Sequence, residues 1–557
     1  MIILGIADNH DSGAAIVIDG KIIGAVNQER VDRVKNSGAF PWGAIDQLCV
    51  DHNIAYKDID RIAIGSSFTP SAILRSNPSS HQHAKLEGQF SVLLHGYLLY
   101  QSSLRKTGLY TLEIDACRQI LKHKLQERPF ASPEIHMLDH HYCHAESAYR
   151  TQSKAKVLVF TVDAMGDGLS ATVSIGENAD LRTIHTQSGL STVSLFYSRI
   201  TELLGFIPLR HEGKVTGLAA MAEAPPALVA HFSKEISSAK GKFPRISLAN
   251  PAHPNDDFWK VTKEYSKAEI ASAAQKVLET AVSAHIRYWI QQTNIRDICL
   301  AGGIFANVKL NQRIADIAEV QSLWVVPHMG DGGLAMGAAL ACADSPPQAL
   351  SHAYLGFSPS RQDIIKAIKR NNLPHTQAKT ATIADILCTG GVVARCSGAM
   401  EWGPRALGNR SLLALARDAS INDRLNAKLQ RSEFMPFAPI VRDIDTQKYF
   451  THTEKIKEAL EFMTVCTPTT ALFREHCPAA VHVDGTARPQ ILRRETNPEL
   501  YELLGEIAKR TGHGVLINTS FNMHEEPIVC TADDALRGFL SAQIEALWIG
   551  EYLVQSI

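Results

Sequence analysis

An apolar run over residues 2–7 stops at Asp8, and the polar stretch Asn9-His10-Asp11-Ser12-Gly13 follows it. Residues 14–18 and 21–26 are again mostly apolar and flank Asp19-Gly20. This pattern predicts a strand, a turn and a β-hairpin closed by a two-residue Asp-Gly turn. The same order returns about 155 residues later. Residues 157–162 form an apolar run ending at Asp163, Ala164-Met165-Gly166-Asp167-Gly168 makes the turn, and residues 171–175 and 181–185 flank 176–180 as a second hairpin. A supersecondary unit that recurs in this way predicts a duplicated lobe.

Between and after the two hairpins the periodicity predicts strands at 60–66 and 134–138 and helices at 91–103, 111–127, 192–205 and 214–222. Residues 75–84 read as a polar turn region and 237–257 as a loop. Ile270, Ala274, Val277, Leu278, Ala281, Ile286 and Ile290 fall at helical spacing within 267–292 and predict one long helix. Two strand–turn–helix units follow, one through Gly302-Gly303 and Asn307, the other through Gly330-Asp331-Gly332-Gly333. Residues 343–352, with Ser345-Pro346-Pro347, read as a boundary. The division expected is a duplicated α/β domain over 1–345 and a second α/β domain over 353–557.

Composition narrows the class. A chain of 557 residues exceeds a single hydrophobic core, and 45% hydrophobic with 20% charged residues describes an ordinary globular protein. The 56 basic and 57 acidic residues leave a formal charge of −1, which offers no global field for nucleic acid or anionic membrane. No apolar stretch approaches the ~18 residues of a membrane span. The six-residue apolar start has no basic leader and reads as a strand, not a signal peptide. Ten cysteines without CxxC spacing suit core packing in a reducing, cytoplasmic setting.

The chemistry concentrates in a few places. In Asp139-His140-His141-Tyr142-Cys143-His144, His140 and His144 are four apart, so on a helix both imidazoles share one face and can serve one ion. Asp163 and Asp331, each at a strand end, can complete the shell. Such a donor set favours Fe(II), Zn or Mn over Mg, which prefers an all-oxygen shell. Four glycine-bearing turns, Asp11-Ser12-Gly13, Gly166-Asp167-Gly168, Gly302-Gly303 and Gly330-Asp331-Gly332-Gly333, offer backbone N–H groups to a phosphate or ribose. In the C-terminal half Arg405, Arg410, Lys428, Arg431 and Arg488 all sit in Gly, Pro or polar turns, an arrangement suited to a phosphorylated small molecule.

Taken together these motifs resemble the large O-carbamoyltransferases of nodulation-factor and antibiotic tailoring. The likeness runs nearly end to end, through Asn9-His10-Asp11, Glu29-Arg30, Asp139-His140-His141 with His144, Asp163 with Gly166-Asp167, Glu212-Gly213-Lys214, Gly302-Gly303 with Asn307, Gly330-Asp331, Gly403-Pro404-Arg405-Ala406-Leu407-Gly408-Asn409-Arg410-Ser411, Asp484-Gly485-Thr486-Ala487-Arg488 and Asn518-Thr519-Ser520-Phe521-Asn522. The resemblance implies an actin-like N-terminal domain similar to the catalytic subunit of the tRNA threonylcarbamoyl transferase. It implies a C-terminal domain similar to threonylcarbamoyl-AMP synthase. The implied activity is ATP-dependent. The C-terminal domain turns carbamoyl phosphate and ATP into carbamoyl-adenylate, and the N-terminal domain passes the carbamoyl group to a hydroxyl of a small-molecule or glycan acceptor.

Residue by residue, the resemblance implies that His140, His144, Asp331 and Asp163 hold a divalent metal, iron in the family pattern. Gly166, Asp167, Gly302, Gly303, Asn307 and Gly330 become nucleotide contacts. His10 becomes the base on the acceptor hydroxyl, Asp8 orients the acceptor, and Lys35 stabilises developing negative charge. Arg405, Arg410, Lys428, Arg431, Arg488 and Asn518 become the carbamoyl phosphate and ATP pocket. Residues 67–130 and 187–212 are expected to shape the acceptor pocket. Two departures stand out: Met435 replaces an expected Arg before Pro436-Phe437, and the Gly expected near Glu525 is missing from Asn522-Met523-His524-Glu525-Glu526-Pro527. The competing reading is an actin-like-fold kinase acting on a small polyol, which explains the phosphate turns but neither the His pair nor the C-terminal arginines.

Overall fold

The N-terminal apolar run folds as β1 (Ile2–Ala7), antiparallel to β2 (Gly13–Ile18) in a register running from Ile2 opposite Ile18 to Ala7 opposite Gly13. Asp19 and Gly20, at φ 48° and 77°, close the hairpin into β3 (Lys21–Asn27). Positive φ at both central residues is the geometry whose twist matches the strands. The computed structural model describes residues 1–77, 92–244, 257–343, 345–430 and 435–555.

Two parallel strands, β4 (Arg61–Ile64) and β5 (Glu134–Met137), complete a five-stranded sheet of order β3-β2-β1-β4-β5. The second half repeats it. Strands β6 (Lys156–Gly166), β7 (Leu169–Glu177), β8 (Asp180–Ser188), β9 (Asp297–Ala301) and β10 (Ser322–Val325) form a sheet of order β8-β7-β6-β9-β10. Position by position the two sheets match: an antiparallel hairpin triplet, then two strands added in parallel. This is the duplicated α/β architecture of the actin-like fold.

Helix Leu334–Ala341 is apolar all round, as a helix enclosed on every side must be. It packs on β1, β2 and β4 and on helix His140–Arg150. At Gly337 an added Cβ would lie 1.9 Å from the Cys143 carbonyl oxygen, so only glycine lets these two helices approach this closely. The long predicted helix is Lys267–Thr293, opened by a capping box between Ser266 and Glu269.

The chain forms two compact units. The first comprises Met1–Ile23, Ser37–Pro41 and Ile54–Ala349; the second comprises Gly24–Asn36, Trp42–Asn53 and Leu350–Ile557. The second unit therefore takes in two early segments that the sequence places with the N-terminal domain, and Lys35 lies in one of them. Its eight-stranded mixed sheet runs in the order His375–Gln377, Tyr552–Gln555, Ala546–Ile549, Val393–Cys396, Arg410–Leu415, Val515–Ser520, Ala438–Arg442, Gln490–Leu492. Leu413, Ile440 and Leu516 of its strands pack in one fully buried cluster with Leu503 and Ile507 of helix Pro498–Thr511.

All ten cysteines are free thiols, buried except for the half-buried Cys388. Among the described residues no helix is long and apolar enough to cross a membrane. Parts of the predicted segments 75–84, 91–103 and 237–257, and Asp344 in the boundary, lie outside the described residues.

Candidate functional site

The ends of two strands, β6 and β10, and the start of one helix converge in the first unit. Asp139 caps helix His140–Arg150 by accepting the Tyr142 N–H at 3.1 Å, which fixes the first turn carrying His140 and His144. The β6–β7 register breaks between Val162 and Gly166, and that irregularity holds Asp163 off the ladder. Asp331 opens the turn from β10 into helix Leu334–Ala341.

The four side chains meet. His144 Nε2 lies 3.1 Å from Asp163 Oδ2 and 3.5 Å from Asp331 Oδ1. His140 Nε2 lies 3.7 Å from Asp163 Oδ2 and 3.5 Å from Asp331 Oδ1. One donor atom from each residue falls within 4.8 Å of all the others. Donors bound at ~2.0–2.2 Å to a common ion stand roughly 2.9–3.6 Å apart along the edges of a tetrahedral or octahedral shell. His140 Nε2 is buried without a hydrogen bond and faces this centre. The residues therefore fit a divalent cation with mixed nitrogen and oxygen donors.

Electrostatics say the same. Burial opposes charge on the His144 ring, yet Asp163 and Asp331 outweigh it and lift its pKa to about 9. Burial also works against ionising Asp163, but hydrogen bonds and charge from His140 and His144 hold it well below the usual carboxylate range. Desolvation opposes charge on His10 as well, and Asp331, Asp11 and Asp163 push it up to about 10. His10 keeps 56% of its side chain in water, which screens part of that pull. Two carboxylates at this spacing need a positive partner, and a cation between them would relieve His144 of that role.

A second layer orients these groups. Ser66 Oγ sits 2.8 Å from His140 Nδ1, and Asn9 Nδ2 donates to Asp331 Oδ2 at 2.7 Å. Asp167 accepts from the backbone of Ser67, Phe68 and His140 and from the Ser67 hydroxyl, at 2.8–3.0 Å. It ties the β4 end to the start of the ligand helix. His141 points away into the core, bonded to Thr161 and Leu169, and burial with the neighbouring His140 and His144 pushes its pKa down to about 3.

The glycine turns are used unequally. A Cβ at Gly166 would lie 2.1 Å from the His140 ring, so Gly166 makes room for a ligand. Gly302 packs on Val162, Gly303 lies beside Asp163, and Gly330 borders open space. Asn307 caps its helix at Leu310 and donates to Gln275 at 2.8 Å. Asp8 is bound through both oxygens by Arg75, at 2.8 and 2.9 Å.

In the second unit, Glu401 Oε1 accepts the backbone N–H groups of Leu407, Asn409 and Arg410 at 2.7, 2.7 and 3.1 Å and so shapes the loop before strand Arg410–Leu415. Arg410 gives its guanidinium to the carbonyls of Phe357, Ser397, Gly398, Asn409 and Cys530. Lys428 donates to the Gln543 carbonyl and pairs with Glu545. Asn518 donates to Ala406 and Gln490. Arg405 and Arg488 are half-buried, Lys35 stands 4.0 Å from Glu29, and Arg431 lies outside the described residues. Sequence reasoning missed Ser66, Asn9 as an Asp331 partner, Arg75 and Glu401. Only Glu401, beside a glycine-rich loop, left a local signal.

The first unit thus carries a histidine–carboxylate centre on a duplicated α/β frame, and the second an α/β sheet with a loop shaped by a carboxylate. The chain belongs to the carbamoyltransferase family: the family's N-terminal model matches residues 2–340 and its C-terminal model residues 384–556. The uncharacterized protein MJ1051 of Methanocaldococcus jannaschii is 30% identical over the full length of both chains. Nodulation protein NolNO of Sinorhizobium fredii is 29% identical over 98% of this chain and 79% of its own length. The 3'-hydroxymethylcephem-O-carbamoyltransferase of Streptomyces clavuligerus is 29% identical over 62% of this chain and 64% of its own. The protein is a carbamoyltransferase.

Proposed function

We propose that the protein is an ATP-dependent O-carbamoyltransferase. The second unit makes carbamoyl-adenylate from carbamoyl phosphate and ATP, and the first moves the carbamoyl group to a hydroxyl of a small-molecule or glycan acceptor. The observation that carries this reading is the convergence of His140, His144, Asp163 and Asp331 on one point. The two histidines and two carboxylates would hold a divalent metal, Fe(II) by resemblance, with Mn or Zn also compatible with the donors. When bound, that ion supplies positive charge to the adenylate phosphate and makes it a better leaving group.

The remaining work falls to side chains. His10 Nε2, 3.4 Å from Asp331, takes the proton of the acceptor hydroxyl in its neutral form, which positive charge held by the carboxylate pair would favour by offsetting the pull of Asp331 and Asp163. The acceptor oxygen bonds to the carbamoyl carbon, the bond to phosphate breaks, and AMP leaves. Lys35 keeps the implied role of stabilising negative charge on the carbamoyl oxygen or phosphate. Arg405 and Arg488 serve the carbamoyl phosphate and ATP pocket, with Arg410, Lys428 and Asn518 holding its walls. Gly302, Gly303 and Gly330 border the adenylate. A cytoplasmic setting, where ATP and carbamoyl phosphate are supplied, belongs to the same proposal.

The test is to incubate the enzyme with ATP and carbon-labelled carbamoyl phosphate and follow the label. Movement of label into an adenylate, dependent on ATP, is the expected result. Label that stays in carbamoyl phosphate while the γ-phosphate of ATP moves to a polyol would replace this reading with the kinase.

A further inference from the structure

The end of β1 faces a cavity of about 520 Å³ inside the first unit, with Asp8, Arg75, Phe40, Ile120 and Leu121 in its lining. That volume is in the range that holds a drug-sized molecule, ~300–1,000 Å³. Asp8 and Arg75 form a fork-to-fork ion pair whose side chains are 5% and 2% exposed. Arg75 also donates to the carbonyls of Ser66 and Ser67 at 3.0 and 3.1 Å. Both Asp8 oxygens are therefore committed to one guanidinium, and the guanidinium is fixed on two further sides.

Phe40, Ile120 and Leu121 supply apolar surface. Lys124, which also lines the cavity, stands 5.9 Å from the Phe40 ring centre and pairs with Glu127 at 2.7 Å. His123 is exposed. The cavity thus combines an apolar wall with an ion pair whose charges cancel. An ammonium placed there finds no free carboxylate and loses its hydration. An uncharged ring gains roughly 25 cal/mol for each Å² of apolar surface buried. Asp8 is two residues from His10, so a ligand in this cavity lies along the chain segment that carries the proposed base.

We propose that this cavity is the acceptor site, that it takes an uncharged hydroxyl compound with an apolar ring body, and that Arg75 sets this preference by closing Asp8 to ammonium groups. The assignment as acceptor site rests on the transfer reading above; the ligand preference does not.

The test uses a matched pair of fluorescent probes, 2-(2-naphthyl)ethanol and 2-(2-naphthyl)ethylamine, titrated against the full chain at pH 7 without ATP. The two share a ring and differ in charge. The alcohol should bind at least ten-fold more tightly than the amine. Ile120→Trp, which fills the cavity, should weaken the alcohol ten-fold or more. Arg75→Met, which frees Asp8, should reverse the preference; if that variant does not fold, the wild-type ratio and Ile120→Trp decide. Equal binding of the two probes, or alcohol binding that Ile120→Trp leaves unmoved, overturns the proposal. If the probes behave as expected but labelled carbamoyl never reaches a hydroxyl product, the ligand preference survives and the assignment as acceptor site falls.

Discussion

Glu525 holds a left-handed backbone at φ +59°, in the stretch where the sequence pattern expects a glycine. An L side chain in that region carries a steric cost of ~1 kcal/mol that glycine escapes. Glu525→Gly should therefore raise the unfolding free energy of the second unit by about 1 kcal/mol, read from the urea midpoint. His285 makes a second prediction at this scale. Burial, with His185 nearby, pushes its pKa down to about 3 from an ordinary 6.5. Below pH 6.5 the unfolded chain takes up a proton that the folded ring refuses, so this residue's share of stability is lost as pH falls toward 3. The loss approaches ~1.4 kcal/mol per pH unit. His285 packs among Phe160 and Phe243, and His285→Phe keeps the aromatic contacts while removing the titration. Urea unfolding at pH 7.5 and 5.5 should show a smaller acid loss in the variant than in the wild type.

At the scale of elements, the ligand helix His140–Arg150 depends on one cap and one hydroxyl. Its two histidines were legible because a four-residue spacing becomes one face on any helix. Ser66 was not legible, because its contact with His140 joins residues 74 apart through the β4 end. Ligand orientation by such partners typically contributes 10–100-fold in metal affinity. Equilibrium dialysis with Mn²⁺ should find one equivalent on the wild type. Ser66→Ala should weaken it about ten-fold, and His144→Ala should abolish measurable binding. Retained stoichiometric binding in His144→Ala would remove the centre on which the proposed function stands.

At the scale of the whole molecule, the reading divides labour between the two units. His10→Ala should block transfer while ATP- and carbamoyl phosphate-dependent adenylate formation persists. Arg488→Ala should abolish adenylate formation. Chromatographic detection of the adenylate separates the two, and loss of the same step in both variants would reject the division. The second unit also shows where local reading stops. Arg410 reads as a phosphate ligand because it follows a glycine-rich turn, and its strand position places the guanidinium among five carbonyl oxygens.

By itself the sequence determined the two sibling hairpins, the strand–turn–helix units and the histidine pair, because each depends on periodicity or on residues close in the chain. Turn chemistry such as Asp19-Gly20 and spacing such as His140 to His144 survive in any tertiary context. Only the tertiary structure decided that Asp331 meets Asn9 across 322 positions and that Arg75 closes Asp8 across 67. It likewise gave Gly24–Asn36 and Trp42–Asn53 to the second unit. Those outcomes depend on which strand ends converge and which side chains find a buried partner there, and no local pattern records the residue waiting on the other side of a sheet.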